Sequence, residues 1–264
     1  MKPEEIRYFD VHSHLNFPQF DADREAIIAE MANQKIATIT VGTTVATSRQ
    51  ALILAEKHSH FFAAVGIHPL DARESVDGLG TLAEEKKVVA IGECGLDYSR
   101  TLTAEDKKRQ RQIFEEHVDL ASTTNKPLII HCRDAYPDVL DILNAKKREV
   151  GERVRGDFHF FTSSPDIAKK CLDLGFYISF TGPITFTNQY DETVAYVPLE
   201  RMMIETDSPY AAPHSHRGKR NTPLYVEEIA RKIATIKGSD IDSVAKILVK
   251  NAFELFLRKN AAEF

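Results

Sequence analysis

Short apolar, β-rich runs alternate with longer amphipathic stretches along the whole of this 264-residue chain. Eight runs read as strands, at residues 7–11, 37–42, 62–66, 88–92, 128–131, 156–159, 177–180 and 202–205. Between them, stretches such as 23–34, 47–58, 104–123, 138–147, 165–174 and 224–237 carry apolar residues three and four apart, the spacing of one helix face. A strand followed by a helix, repeated, makes neighbouring strands parallel, because each return must cross a face of the sheet. Eight such units in roughly 250 residues is the size of a closed (β/α)8 barrel. The expected fold is therefore α/β: one TIM-barrel domain over residues 1–264, with a closing helix near 241–258 packed on the outside. An open doubly wound sheet is the competitor. No Gly-x-Gly-x-x-Gly follows the first strand, and no Gly/Ser/Pro-rich linker or internal repeat divides the chain.

Bulk properties narrow the class. Hydrophobic residues at 43% and charged residues at 28% suit a globular enzyme and not a disordered chain. A net charge of -5 gives no global basic field, so any attraction to nucleic acid must come from local arginines or bound cations. Cys94, Cys132 and Cys171 are odd in number and widely spaced, which argues against a disulfide framework and for a reducing compartment. The opening Met1-Lys2-Pro3-Glu4-Glu5 is polar and no apolar run reaches membrane-spanning length. The expectation is a cytoplasmic protein with no membrane association and no obligate protein partner.

Barrel enzymes gather their chemistry where strands give way to the following loops. His12 and His14 stand one residue apart at the end of the first run, and in extended backbone alternate side chains face one side, so both imidazoles can reach one ion. The third run passes into Gly66-Ile67-His68-Pro69, and the fourth ends in Gly92-Glu93-Cys94-Gly95-Leu96-Asp97. The fifth ends in His131-Cys132-Arg133-Asp134, the sixth carries Asp157-Phe158-His159, and the eighth ends in Glu205-Thr206-Asp207-Ser208-Pro209. Taken singly, each has an ordinary reading: a hydrogen-bonded histidine, a buried ion pair at Glu93, a helix cap at Asp207. Four histidines and two carboxylates on one rim point instead to shared work. His12, His14, Glu93, His131, His159 and Asp207 suit a pair of divalent ions with one carboxylate able to bridge them. Mixed nitrogen and oxygen ligation suits Zn²⁺, Mn²⁺, Fe²⁺, Co²⁺ or Ni²⁺, whereas Mg²⁺ prefers fewer histidines.

These residues carry a family resemblance. His12-Ser13-His14, Gly66-Ile67-His68-Pro69, Gly92-Glu93-Cys94-Gly95-Leu96-Asp97, His131-Cys132-Arg133 and Glu205-Thr206-Asp207-Ser208-Pro209-Tyr210 resemble the motifs of the TatD family of metal-dependent deoxyribonucleases, within the amidohydrolase-like barrel superfamily. The likeness runs from residue 9 to about residue 225. It implies one metal held by His12, His14 and Asp207 and a second held by His131 and His159, with Glu93 bridging. One departure is visible. The family commonly has His-Cys-Phe-Ser/Thr-Gly after strand six, where this chain has His159-Phe160-Phe161-Thr162-Ser163.

The reaction such a site would run is hydrolysis by water activated between cations, with Glu93 and Asp207 as the catalytic carboxylates. Asp207 is the general-base candidate, its alternative being a ligand only. Asp10 and Glu205 lie two residues before His12 and Asp207, so alternation points them beneath the ligands, as groups orienting imidazoles or water or as core ion pairs. Arg133 could fork onto a phosphate or pair with Asp97 or Asp134. His68 heads the third loop, and the resemblance implies that it contacts substrate. Arg220 and Asn221 follow strand eight, near where barrels bind phosphate, and are candidate substrate contacts. The expected substrate is nucleic acid, as a single strand or a frayed end, attacked from a terminus. A barrel amidohydrolase or lactonase acting on a small molecule is the alternative. Many of those enzymes bridge their metals with a carbamylated lysine, and no lysine ends any of the eight strands here.

Overall fold

The computed structural model of the chain describes residues 2–100 and 102–257. The strands are β1 (Tyr8–Ser13), β2 (Ile36–Val41), β3 (Phe61–Val65), β4 (Val88–Asp97), β5 (Leu128–Arg133), β6 (Gly156–Phe158), β7 (Tyr177–Phe180) and β8 (Met202–Ile204). They form a closed, wholly parallel barrel in chain order, shut where Asp10 of β1 lies opposite Ile204 of β8. Around it stand α1 (Arg24–Asn33), α2 (Val45–Lys57), α3 (Leu79–Ala83), α4 (Ala104–Thr124), α5 (Tyr136–Val150), α6 (Pro165–Asp173), α7 (Asp191–Tyr196), α8 (Val226–Lys237) and α9 (Ile241–Phe256). This is the (β/α)8 TIM barrel that the alternation implies.

Local chemistry sets several boundaries. Thr103 opens α4 by accepting from Asp106 N–H while the Asp106 carboxylate accepts from Thr103, a reciprocal cap. Asn125 closes that helix in the left-handed region at φ 53°. One face of α4, through Gln110, Ile113, Phe114, His117 and Val118, is buried against the barrel.

Two apolar clusters build the core. The larger fills the space between strands and surrounding helices. The smaller takes inward residues such as Phe9, Ile39, Ala64, Ile129 and Met203, and adds Val249, Ala252, Leu255 and Phe256 of α9. Helix α9 thus lies outside the barrel wall and across its N-terminal end, which it seals with apolar side chains. The expected end of this helix at residue 258 lies outside the described residues. Among the described residues no helix is long and apolar enough to cross a membrane.

The strands depart from simple alternation where the rim is built. β4 runs five residues past its expected end, pairing with β5 from Cys94↔Ile130 to Asp97↔Arg133 after a register shift beyond Ile91. Gly95 makes this approach possible, since at φ +139° an added Cβ would lie 1.9 Å from His131 O. In sequence the two glycines read as a stop, whereas in the barrel they are a bulged continuation. A second register shift falls between Asp10 and Ser13 of β1. It breaks the two-residue alternation, so Phe9 and Val11 join the inner cluster and Asp10 turns to β8 instead of standing beneath His12.

Candidate metal centre

At the C-terminal end of the barrel, β1 delivers His12 and His14, β4 delivers Glu93, and β5 delivers His131. His159 follows directly on β6, and Asp207 lies three residues past the end of β8. The six expected ligands therefore converge from five strand ends. Glu93 sits at their middle, only 4% exposed. Its Oε2 faces one pair of imidazoles, 3.4 Å from His12 Nε2 and 3.8 Å from His14 Nε2. Its Oε1 faces another, 2.9 Å from both His131 Nδ1 and His159 Nε2. Asp207 closes the first group with Oδ1 3.4 Å from His14 Nε2 and 3.8 Å from His12 Nε2.

The outward nitrogens of three rings are anchored, and this fixes which nitrogen faces the centre. His14 donates its Nδ1–H to Val41 O at 2.9 Å. His159 Nδ1 faces Glu205 Oε1 at 3.2 Å, and His131 Nε2 faces Asp97 Oδ2 at 3.0 Å. A neutral ring anchored this way turns a lone pair toward the carboxylate oxygens, and a protonated ring turns its second N–H there. The neutral set repels itself unless something positive lies between, and that is the chemistry of a cation site. His12 Nδ1 is buried with no hydrogen-bond partner among the described residues, and the ring stacks on that of His159 at 4.0 Å. Groups of donor atoms within reach of one ion include His12 with His14 and Glu93, and Glu93 with His131 and His159. The residues present fit divalent cations.

Electrostatics point the same way. Burial would raise the Glu93 carboxyl, yet the imidazoles of His159 and His68 beside it hold it well below the usual carboxylate range. Burial would lower His159, yet the Glu93 and Glu205 carboxylates hold it well above its ordinary value. The centre therefore favours positive charge at the imidazole side of Glu93.

The supporting groups divide as their hydrogen bonds dictate. Glu205 is fully buried, accepting from Phe160 N at 2.7 Å besides facing His159, so it orients that imidazole. Asp10 accepts from Thr206 N, Thr206 Oγ1 and His12 N, so it holds the backbone at the ends of β1 and β8 and touches no imidazole. Asp207 itself adopts φ 52°, and its N–H donates to His12 O at 2.9 Å. A non-glycine residue in this region is uncommon and is held there by its surroundings.

A cavity of about 720 Å³ opens above the six ligands. His68 lines it, with Nε2 3.5 Å from Glu93 Oε1, and so does Arg133. Among the described residues Arg133 makes no ion pair, with Asp134 or with Asp97; Asp97 is engaged by His131 and Ser99. Arg220 and Asn221 do not line the cavity. Arg220 bonds Asp23 and Gln19 O and lies over the Phe20 ring, which ties the loop after β8 to the start of α1. Asn221 is fully buried, with both amide hydrogens directed to Thr206 O and Tyr210 O at 2.7 Å and its oxygen accepting from Thr222 N. It is a clamp on the loop that carries Asp207. The charged run around Arg220 suggested a phosphate site because loop geometry, invisible in sequence, decides which way a guanidinium turns.

Three contributors escaped the sequence reading. Asp97 orients His131, and its only signal was its place at the close of the Gly-Glu-Cys-Gly-Leu-Asp motif. Arg100 lines the cavity from the loop after β4. Tyr210 is half exposed at the rim, its ring 6.3 Å from that of His14. Of the segment that departs from the family pattern, Phe160 and Thr162 line the cavity, Phe160 at φ 48°.

Residues 9–257 match the family described as TatD related DNase. The uncharacterized metal-dependent hydrolase YabD of Bacillus subtilis is 41% identical over 255 residues, covering 94% of this chain and 98% of that one. The 3'-5' ssDNA/RNA exonuclease TatD of Pantoea ananatis is 33% identical over 261 residues, again 94% and 98%. Among solved structures, YJJV, a TatD homolog from Escherichia coli, superposes with a TM-score of 0.87 at 27% identity, covering 97% of this chain and all of that one. With this barrel, this rim and a family match over residues 9–257, the chain belongs to the TatD-related DNase family.

Proposed function

We propose that this TatD-family metal-dependent hydrolase is a deoxyribonuclease that hydrolyses phosphodiester bonds at a single-stranded or frayed nucleic-acid end. Two divalent cations would be held, one by His12, His14 and Asp207 and one by His131 and His159, with Glu93 between them. The observation that carries this reading is the Glu93 carboxylate, whose two oxygens face two separate imidazole groups. Four imidazoles with two carboxylates favour Zn²⁺, Mn²⁺, Fe²⁺, Co²⁺ or Ni²⁺ over Mg²⁺. When bound, the cations supply Lewis-acid activation of water and screening of phosphoryl charge.

The chain's own residues do the remaining work. Asp207 carries a carboxylate oxygen into the centre and to the floor of the cavity, where it can accept the proton of an attacking water. Leu70 N–H donates to His68 Nδ1 at 3.2 Å, so the neutral ring keeps its hydrogen on Nε2, which faces the centre. Burial pushes His68 down to about 4, so near neutral pH it is an uncharged donor suited to a phosphoryl oxygen. Arg133 and Arg100 on the cavity wall supply guanidinium forks for the phosphates on either side.

A cupped site suits a flexible strand. Duplex DNA has a persistence length of roughly 50 nm and cannot bend into such a cavity without fraying. The name of the Pantoea ananatis relative, a 3'-5' ssDNA/RNA exonuclease, supports a single-stranded terminus as substrate. A cytoplasmic location is our reading of the free thiols of Cys94, Cys132 and Cys171.

The test is an assay of purified protein stripped with chelator and reloaded with Mn²⁺, Zn²⁺ or Mg²⁺. End-labelled single strands of DNA should shorten stepwise from one end, blunt duplex more slowly, and lactones and cyclic amides not at all. Faster cleavage of blunt duplex would overturn the steric argument, and turnover confined to lactones or amides would overturn the nuclease.

A further inference from the structure

We propose that His117, on α4 and not among the candidate metal ligands, is a positioning residue that sets His68 over the centre by holding the backbone of Ile67. The inference rests on the nuclease reading of His68 given above.

His117 is fully buried, and both ring nitrogens are engaged. Nδ1 lies 2.6 Å from Ile113 O, and since a carbonyl only accepts, Nδ1 carries the hydrogen. In the neutral ring Nε2 is then an acceptor, and it takes Ile67 N–H at 3.0 Å. Burial pushes His117 down to about 4, so this tautomer persists near neutral pH. Ile67 is itself 0% exposed, so its N–H has no water to turn to if the imidazole leaves.

The neighbouring backbone is held just as firmly. Gly66 N–H donates to Ser48 Oγ of α2 at 3.1 Å, and His68 N–H donates to Thr43 O at 2.9 Å. Gly42 leaves room for Ser48, whose Oγ would lie 2.3 Å from a Cβ at that position. Three successive amides of Gly66-Ile67-His68 are therefore fixed, and only the middle one is fixed by an ionisable side chain. Two turns earlier on the same face of α4, Gln110 brackets Asp97 by accepting from its N–H at 2.9 Å and donating to its carbonyl at 3.2 Å. One helix face thus sets both the loop carrying His68 and the strand end carrying Asp97.

The two nitrogens of His117 can be replaced separately. In His117→Gln the amide oxygen stands where Nε2 stood and keeps the Ile67 bond. In His117→Asn the shorter amide keeps a bond to Ile113 O, as Asn144 does to Leu140 O at 2.9 Å, and leaves Ile67 N–H unpaired. The Asn variant should lose turnover of single-stranded DNA by roughly tenfold, the value of one buried hydrogen bond, and the Gln variant should stay within about threefold of wild type. In a His68→Ala background the Asn substitution should cost less than about twofold, because the residue it positions is gone. Amide exchange at Ile67 should speed up in the Asn variant and not in the Gln variant, whether or not the protein cleaves DNA. Equal behaviour of Asn and Gln, an undiminished loss in the His68→Ala background, or unchanged exchange at Ile67 would each overturn the role of His117. A wild-type protein that does not cleave DNA, or a His68→Ala variant as active as wild type, would instead overturn the reading of His68, leaving the amide measurement to judge the hydrogen bond.

Discussion

Asp97 Oδ2 lies 3.0 Å from His131 Nε2, so His131 turns Nδ1 to Glu93 while His14 and His159 turn Nε2 to the centre. The other Asp97 oxygen is fixed by Ser99, through its N–H at 2.9 Å and its hydroxyl at 2.6 Å. Burial opposes the charge on Asp97, but His131 and the Ser99 donors hold its carboxyl well below the usual range. Removing the partner of a ligating imidazole costs roughly ten- to a hundredfold in metal affinity or activity. Asp97→Ala should show that loss in a metal titration of the stripped protein, and Asp97→Asn a smaller one, since its amide oxygen still accepts from Nε2–H. Wild-type metal affinity in Asp97→Ala would remove the orienting role.

Glu93 makes the sharper case, since it faces both imidazole groups. Glu93→Ala should lower turnover by at least roughly a thousandfold, because each of the two proposed cations would lose a ligand and the attacking water its setting. The fold should survive, because the barrel closes through β1 and β8 and Glu93 lies at the rim. Circular dichroism and metal content measured alongside activity would separate the two effects. Near-normal phosphodiesterase activity in this variant would exclude a bridging role.

Two arginines that look alike in sequence should behave differently. Arg133 faces the cavity without an ion pair among the described residues, so Arg133→Ala should raise KM for single-stranded DNA and flatten its dependence on salt. Arg220 is bonded to Asp23 at a partly exposed site, so Arg220→Ala should leave KM within about twofold and lower stability by about 1 kcal/mol or less. Kinetics at two salt concentrations together with urea denaturation would test both. A KM that rises only in the Arg220 variant would reverse the assignment.

Much of this was legible because period and composition report directly on burial. The alternating runs specified eight strands, and ligand-type residues at their ends specified a rim, because a barrel offers one place for them to meet. Asp10 was misplaced because alternation counts residues, and the register shift between Asp10 and Ser13 changes the count without changing the composition. Arg220 and Asn221 were read as substrate contacts because side-chain direction in a loop depends on partners such as Asp23 and Tyr210, which no local pattern reveals. The role of Asp97 beside His131 is not legible because two glycines hide the last residues of β4 from any strand pattern.

Beneath the centre, Ser179 bears one hydroxyl hydrogen and meets two carboxyl groups. Its Oγ lies 2.8 Å from Asp157 Oδ2 and 2.7 Å from Glu205 Oε2, so one of those carboxyls must itself donate. Glu205 Oε1 is already engaged by Phe160 N and His159, whereas Asp157 Oδ1 has no hydrogen-bond partner among the described residues, so Asp157 is the protonated partner. Burial, and then the Glu205 charge, raise Asp157 from 3.8 to about 8. The sign follows from proton binding: a folded-state value above the unfolded one means that the folded protein binds more protons between them. The stability from this group is full below about pH 4 and is lost as pH rises through about 8. Asp157→Asn keeps a donor toward Ser179 Oγ and cannot titrate, so it should fold and should lose that part of the slope. Urea midpoints of the chelator-treated proteins at pH 5 and pH 8 would measure it. The wild type should weaken more than the variant across that interval, and an equal decline in both would mean that Asp157 is ionised and that the hydroxyl of Ser179 points to it.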